Sequence, residues 1–294
     1  MVLHSKLGLP YMGSKRKLAG KIVDKILQDN PNTKYVYDLF GGGGAISFEF
    51  LQRPQIEMVH YNELNAGVVA LLKDIRDNGV TEKYFKWISR LEFFTHKNDD
   101  DWYGGLCKVV WSFGNNQSDY LFGRSIENNK RLAHLMVVNK DDEARKELEK
   151  IFEIEIPKEI FNIEELHARR LYFCGIVRKN KKRFDLQQLQ QLEQLEQLQQ
   201  LQRLEISNLS YEQVPLTTPI DETIVYLDPP YINTGEYQEK LNHTELYEWI
   251  AKCPYKIYLS SYESPLKCIA EFEHRTTLSA TRNTGKTIER LFVK

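Results

Sequence analysis

The sequence predicts an α/β fold, a doubly wound and mostly parallel sheet that carries an inserted, mainly helical domain. Near the beginning, an apolar strand-like segment runs through four consecutive glycines into a helix-like segment, and a second strand and helix follow. This β-turn-α-β-α order is typical of the start of a doubly wound parallel sheet. Strand and helix patterns resume in the last third of the chain, after a central stretch rich in aromatic and charged residues. One α/β domain interrupted by an insertion is the simplest organisation that accounts for both observations.

The first four elements follow from apolar patterning. Apolar runs predict strands at 35–40 and 57–63, and helix-like spacing predicts helices at 45–52 and 66–75. The glycines at 41–44 separate the first strand from the first helix, because glycine adopts turn conformations that other residues avoid.

The last third of the chain repeats this alternation. A helix is predicted at 243–252, and strands are predicted at 206–209, 223–227, 255–260, 273–279 and 288–293. We therefore expect residues 1–75 and 206–294 to form the α/β domain, and residues 76–205 to form the inserted domain.

The insertion ends in a leucine- and glutamine-rich repeat at 186–204, in which every third residue is leucine. Leucine, glutamine and glutamate favour a helix. A three-residue step on an α-helix is about 300°, so the leucines drift around the axis and form neither an amphipathic stripe nor a heptad seam. We interpret the repeat as a low-complexity expansion that can be shortened without loss of function. The alternative is an element that faces a partner such as nucleic acid.

Composition and charge exclude several classes of protein. Of the 294 residues, 41% are apolar and 28% are charged, which is ordinary for a globular protein. No run approaches the ~18 apolar residues of a membrane span, so we expect a soluble intracellular protein without a membrane partner. The four cysteines lack metal-ligand spacing, so neither a metal site nor a disulfide is expected. Because the net charge is −1, attraction for nucleic acid would depend on basic patches such as 15–17 and 178–183.

A candidate cofactor turn follows the first strand. Asp38 and Phe40 end that strand, the glycines follow, and Glu63 comes 19 residues after Gly44, at the end of the second strand. Glycines let a ligand approach the backbone, and a carboxylate at the second strand can accept hydrogen bonds from both hydroxyls of a ribose. A dinucleotide fingerprint would require glycine at Ser47. The pattern therefore predicts an adenosine-type cofactor without a pyrophosphate.

A second candidate site follows the strand predicted at 223–227. Asp228 lies at the carboxyl end of this strand, where open α/β sheets bind their ligands. Pro229 and Pro230 end the strand, because proline cannot donate a ladder hydrogen bond. Their rigid turn fixes the direction of the next carbonyl group and of the Tyr231 ring. The segment is therefore arranged to present a carboxylate, a carbonyl and an aromatic ring to one ligand.

Three motifs in this order resemble those of one enzyme family. They are "PYMGSKRKL" at 10–18, "FGGGG" at 40–44 and "DPPY" at 228–231. Together they resemble the Dam-like adenine-specific DNA amino-methyltransferases, the alpha group of the D12 class. The resemblance implies methylation of the 6-amino group of adenine at specific sites in duplex DNA, with S-adenosylmethionine as the cofactor. It also implies a target-recognition function for the insertion, action as a monomer on DNA, a bacterial or phage-infected cytoplasm, and a restriction endonuclease as a candidate partner.

The chemistry implied by this resemblance explains the DPPY segment. An exocyclic base amine is a poor nucleophile, because its lone pair is delocalised into the ring. If Asp228 and the Pro229 carbonyl accept its two N–H bonds, the lone pair is freed for direct attack on a methyl sulfonium. Pro230 would keep the turn rigid, and Tyr231 would stack on the base, which must leave the duplex to reach the site.

The resemblance also assigns cofactor contacts, and the residue types indicate DNA contacts. The expected cofactor-binding residues are Tyr11, Lys15, Asp38, Phe40, Gly42, Gly44, Glu63, Ser210 and Tyr211, with the Lys15 ammonium facing the cofactor carboxylate. Residues 112–123 are expected to form two aromatic strands around a hydrophilic turn. From their residue types, the expected DNA-binding residues are Asn115, Asn116, Gln117 and Ser118 for reading bases, Arg124 for reading guanine or holding phosphate, and Lys179, Lys181 and Lys182 for phosphates.

Two other functions are consistent with the motifs. One is methylation of another amine, in cytosine, RNA adenine or a protein glutamine. Protein-glutamine enzymes usually carry asparagine at the position of Asp228, and cytosine enzymes usually carry serine, so this aspartate favours adenine. The other is a DNA-binding relative that has lost catalysis, against which the intact DPPY segment argues.

Overall fold

A computed structural model of the chain describes residues 7–182, 184–196, 198, 201–230, 241–275 and 286–294. In these residues seven strands form a single sheet. The strands are β1 (Tyr35–Asp38), β2 (Met58–Asn62), β3 (Leu204–Ser207), β4 (Thr223–Leu227), β5 (Lys256–Ser261), β6 (Lys267–Arg275) and β7 (Lys286–Val293). The α-helices are α1 (Ala19–Asp29), α2 (Ala45–Leu51), α3 (Ala66–Asn78), α4 (Arg90–His96), α5 (Trp102–Val110), α6 (Arg124–Asn139), α7 (Asp142–Phe152), α8 (Leu166–Lys179), α9 (Gln187–Glu196) and α10 (His243–Lys252).

The sheet confirms the predicted fold class. Its strand order is β3-β2-β1-β4-β5-β7-β6, and the first five strands in this order are parallel. β7 and β6 are antiparallel additions at the far edge. The chain leaves β1 toward β2 and β3 and returns on the other side of β1 to form β4. The strand order therefore reverses between β1 and β4, and ligands of such sheets bind at that switch point.

The two faces of the sheet pack against different partners. Side chains alternate between the faces of a strand. Val36 of β1 joins the large core cluster, whereas its neighbour Tyr37 joins a smaller cluster on the other face. That smaller cluster includes Leu246 and Ile250 of α10. The large cluster runs without a break from the sheet into the inserted helices. The insertion therefore shares its core with the sheet.

Most of the predicted elements lie where the sequence placed them, but the start of the strand predicted at 273–279 is wrong. The structure instead has β6 at Lys267–Arg275, and residues 276–279 lie outside the described part of the chain. β6 carries a register shift between Cys268 and Ala270, which breaks the alternation that the sequence reading relied on.

The insertion is built from α4 to α9 and short 3₁₀ turns, between α3 and β3. Its core includes the buried Trp111, which packs edge-on against Trp87 with ring centroids 4.9 Å apart. Among the described residues, no helix is long and apolar enough to cross a membrane.

The leucines of the repeat are all buried, which the sequence did not predict. Each of its seven leucines, from Leu186 to Leu204, is at most 8% exposed. Among the described residues of the repeat, only 187–196 form an α-helix, and Leu189, Leu192 and Leu195 therefore span an arc of about 120° on α9. Beyond α9, the chain forms a 3₁₀ turn at Leu201–Arg203 and then enters β3 at Leu204. An expansion that serves only as filler is at odds with this burial.

Candidate active site

The carboxyl ends of β1 and β4 bring two acidic side chains to the switch point. Asp38 ends β1 opposite Tyr226 of β4, and Asp228 follows two residues beyond Tyr226. The N–H of Leu39 donates to the Tyr226 carbonyl at 3.1 Å, so the strands stay paired to their ends. Pro229 is buried and Pro230 is half-buried. Tyr231, predicted to stack on the base, lies outside the described residues.

Lys15 lies against the Asp228 carboxylate. Its Nζ is 2.9 Å from Asp228 Oδ1 and 3.7 Å from Oε2 of Glu289, which lies on β7. Burial lowers the pKa of Lys15, but Asp228 and Glu289 outweigh it and raise this pKa above its usual 10.5. The buried ammonium therefore stays charged, and it faces the DPPY carboxylate rather than only a cofactor group. Glu289, which is 2% exposed, is a site residue that the sequence analysis missed.

Glu63 is hydrogen-bonded to the backbone of the glycine turn. The Gly42 N–H donates to Glu63 Oε2 at 2.8 Å, and the Asn65 N–H donates to Glu63 Oε1 at 2.9 Å. The Tyr61 hydroxyl donates to the Gly42 carbonyl at 2.7 Å. Burial raises the pKa of Glu63, although hydrogen bonds from the backbone N–H groups of Asn65, Gly42 and Leu64 oppose this shift. Each carboxylate oxygen has two lone pairs, so these bonds orient Glu63 and leave acceptor capacity for hydroxyl groups.

The glycines are needed by the chain itself. Gly44 has a φ of +73°, and a Cβ there would lie 2.6 Å from the ring of Phe48. Gly42 has a φ of +48°, and a Cβ there would lie 3.3 Å from the ring of Tyr11. Tyr11 thus covers the turn from the side of the N-terminal motif. Both glycines were predicted to let a ligand approach the backbone, but the lack of a side chain at Gly44 also leaves room for Phe48 of α2.

Asp38 is buried and only partly hydrogen-bonded. It is 1% exposed, and its Oδ2 accepts a hydrogen bond of 2.7 Å from Ser47 Oγ. Its Oδ1 has no hydrogen-bond partner among the described residues. Burial raises the pKa of Asp38 to about 7, and the nearby charges of Asp228 and Glu63 add to this shift against the Ser47 hydrogen bond. A cationic donor at Oδ1 would favour the ionised form.

An aromatic pair lies beside the turn. The Phe40 and Tyr211 rings are 5.4 Å apart, and Tyr211 meets Trp249 edge-on at 5.5 Å. Ser210 precedes Tyr211, and its hydroxyl donates to Glu212 Oε2 at 2.6 Å. The structure therefore brings Phe40 and Tyr211 together, and it turns the Ser210 side chain toward its own segment.

Asn62 is a second residue that the sequence analysis missed. It is 1% exposed, and its Nδ2 donates to the carbonyls of Leu39 at 3.2 Å and Leu209 at 2.9 Å. Its Oδ1 accepts from the Leu209 N–H at 3.0 Å and from Ser207 Oγ at 2.8 Å. One fully bonded side chain thus fixes the segment before Tyr211 against the end of β1.

The predicted hairpin at 112–123 is wrong in its strands. The structure has a single antiparallel bridge between Ser112 and Tyr120, around a 3₁₀ turn at Phe113–Asn115. Backbone hydrogen bonds of 2.8 Å on either side of this bridge, from the Phe113 N–H to the Asp119 carbonyl and from the Leu121 N–H to the Trp111 carbonyl, pair the flanks only briefly, and the Trp111 and Phe122 rings pack into the large core cluster.

The predicted base-reading side chains of this turn bond within the chain. Asn115 Nδ2 donates to the Val109 carbonyl at 3.3 Å, and Asn116 Oδ1 accepts from the Ser118 N–H at 2.9 Å. Gln117 accepts a 2.8 Å hydrogen bond from Asn65, whose own N–H bonds to Glu63. The turn therefore lies beside the glycine turn.

The remaining predicted DNA contacts are exposed. Ser118 and Arg124 are exposed, as are Lys179, Lys181 and Lys182 at the end of α8 and just beyond it. Of these lysines, Lys182 lines a cleft of about 350 Å³. Its lining residues are Lys130, Cys174, Arg178, Lys182, Phe184 and Asp185.

Comparison with known proteins identifies one family. A family model described as D12 class N6 adenine-specific DNA methyltransferase matches residues 11–279. A crystal structure described as a "putative methylase" from Haemophilus influenzae is 13% identical to the chain, with a TM-score of 0.33. That alignment covers 97% of this chain and 90% of the other. Among curated proteins, no sequence matches.

Proposed function

Because the chain belongs to the D12 class N6 adenine-specific DNA methyltransferase family, we propose that it methylates the 6-amino group of adenine at specific sites in duplex DNA, with S-adenosylmethionine as the donor. The family confirms the resemblance carried by the three motifs. The observation that supports the proposal most is the position of Asp228, which lies at the switch point of the sheet beside Asp38 and the Glu63 turn.

The residues around the glycine turn fit this cofactor. Bound S-adenosylmethionine supplies an electrophilic methyl group on a sulfonium cation. Glu63 has acceptor capacity for ribose hydroxyls, and the Oδ1 of Asp38 could accept from an ammonium group. Phe40 and Tyr211 offer aromatic faces to an adenine ring. The acidic lining favours a ligand with positive charge.

Asp228 acts on the target amine. Its carboxylate would accept one N–H of the amine, and the Pro229 carbonyl would accept the other, so the nitrogen lone pair would be available for direct transfer without a covalent enzyme intermediate. The methyl–sulfur bond would break as the nitrogen–carbon bond forms, the sulfur would leave as a neutral thioether, and the amine would lose one proton along its hydrogen bond to Asp228. Lys15 holds the Asp228 carboxylate in one orientation through its 2.9 Å contact. Such fixed acceptors cost no reorganisation at the moment of transfer. The adenine has to leave the base stack to reach this buried edge.

Replacement of Asp228 tests the role of this residue. We expect Asp228→Ala to lower methyl transfer by about 10²-fold or more, because one acceptor for the amine is lost. Its affinity for S-adenosylmethionine, measured by calorimetry, should stay within about threefold of the parent, since Asp228 is proposed to contact the amine. Asp221→Ala, at an exposed position before the other end of β4, is the matched control and should be fully active.

The assay is transfer of labelled methyl groups to duplex DNA, followed by sequencing of the modified DNA to identify the base and the site. Activity of Asp228→Ala within tenfold of the parent would overturn the mechanism. Methylation of cytosine, or of RNA or protein alone, would point to an enzyme for another amine. DNA binding by the parent without methyl transfer would point to a relative that has lost catalysis.

A further inference from the structure

Lys15 is followed by an arginine that points to a different part of the molecule. The Lys15 carbonyl accepts hydrogen bonds from the N–H groups of Leu18 and Ala19 at the start of α1. The Lys15 side chain runs to Asp228 and Glu289, whereas the Arg16 guanidinium donates to the side-chain oxygen of Gln194 on α9. Neighbouring residues are thus anchored separately, and together the two anchors fix the backbone that carries the Lys15 ammonium.

Gln194 is a specific partner for Arg16. Burial lowers the pKa of this half-buried arginine, so its charge has lost part of its hydration. Within the described part of the chain, Gln194 is the one side chain that accepts a hydrogen bond from Arg16. The loss of such an acceptor leaves a desolvated charged group unpaired, which is costly enough to move the side chain.

The helix that carries Gln194 is itself held firmly. Arg170 of α8 donates to both carboxylate oxygens of Glu193 at 2.7 and 2.9 Å, and His167 Nδ1 lies 2.8 Å from the same carboxylate. Arg170 and Glu193 are 5% and 9% exposed, so this is a buried bidentate ion pair. Helix α9 therefore meets α8 through Glu193 and the start of α1 through Gln194.

We propose that Gln194, within the leucine repeat, is a positioning residue for methyl transfer: through Arg16 it holds the segment that places Lys15 against Asp228. The expected effect on kcat rests on the proposed function, whereas the expected effect on the position of Lys15 does not. The repeat then acts as a brace between the inserted helices and the reacting edge of the sheet. Since the leucines on either side of Gln194 are fully buried, the brace cannot shift without disturbing the core.

Two substitutions of Gln194 separate positioning from folding. Gln194→Leu removes the acceptor, and Gln194→Glu keeps an acceptor and adds an ion pair with Arg16. We expect Gln194→Leu to lower kcat about tenfold with an unchanged KM for DNA, and Gln194→Glu to retain the parental kcat. Gln190→Leu, at an exposed position of α9, is the matched control and should behave as the parent.

A second readout does not depend on activity. Acetylation of lysines by acetic anhydride, followed by mass spectrometry, reports how well Lys15 is shielded, with the exposed Lys17 as the internal reference. We expect Lys15 to be modified several-fold faster in Gln194→Leu than in the parent, in Gln194→Glu or in Gln190→Leu. If the parent fails to methylate adenine, the proposed function fails, and Lys15 labelling still decides this inference. The inference would be overturned if Lys15 in Gln194→Leu were labelled at the same rate as in the parent. It would also be overturned if all lysines were labelled faster because the variant unfolds.

Discussion

Leu192→Ala measures how much the leucine repeat contributes to stability. Leu192 is fully buried on α9 within the large core cluster. Alanine is a better helix former than leucine, so the substitution removes packing without harming the helix. Truncation of a buried leucine typically costs about 2–5 kcal/mol, from lost burial and the cavity that remains. For a chain of this length, that corresponds to a fall in melting temperature of about 4–10 °C.

The same helix supplies the control. Gln190 is exposed, so Gln190→Ala should change the free energy of unfolding by no more than about 0.5 kcal/mol. Urea unfolding followed by circular dichroism gives both values, provided that the slope against urea is the same in all three proteins. Equal stability of Leu192→Ala and the parent would refute the packing of the repeat and would restore its interpretation as filler. Conversely, we now expect deletion of 190–195 to unfold the protein, whereas the sequence alone predicted a functional variant.

Three further predictions concern individual buried residues. Burial raises the pKa of Asp38 in the folded state to about 7, so between about pH 4 and pH 7 the folded state holds a proton on Asp38 that the unfolded state has lost. Without cofactor, the free energy of unfolding should therefore fall as the pH rises through this range. Urea titrations at several pH values should show a flatter dependence in Asp38→Asn. Gln188 is fully buried, and its two side-chain polar atoms have no partner among the described residues, so Gln188→Leu should raise the melting temperature in calorimetry. Gly44→Ala should destabilise the protein more than Gly79→Ala, because both glycines have a positive φ but only Gly44 faces the Phe48 ring; equal losses on thermal unfolding would contradict this.

The parts of the fold that the sequence predicted well are those with local signals. β4 is observed at Thr223–Leu227, as predicted, because Pro229 and Pro230 cannot continue a strand. α10 is likewise observed at His243–Lys252, where the Asn242 side chain caps the first turn. Asp38, Glu63 and Asp228 could be grouped in advance, since the carboxyl ends of neighbouring parallel strands lie at one edge of a sheet.

The parts that were missed depend on contacts between distant segments. Glu289 lies 274 residues after Lys15 in the sequence, and the residues next to it on β7 form no motif that predicts a partner for a buried ammonium. Asn62 looks like an ordinary strand end, yet its bonds to Leu39 and Leu209 join three segments. The polar residues 115–118 were predicted to read bases, whereas Gln117 bonds to Asn65 beside Glu63.

The repeat shows why periodicity alone misled the prediction. A leucine at every third residue would circle a long α-helix, but α9 has only 10 residues, so its leucines cover one side before the chain changes conformation. Two polar anchors then limit the length of the repeat, Glu193 toward Arg170 and Gln194 toward Arg16. One triplet added before them would turn both anchors by about 60° around the axis and displace them by about 4.5 Å along it. Since neither bond survives such a shift, the repeat can neither gain nor lose a triplet at that place without uncoupling the inserted helices from the segment that carries Lys15.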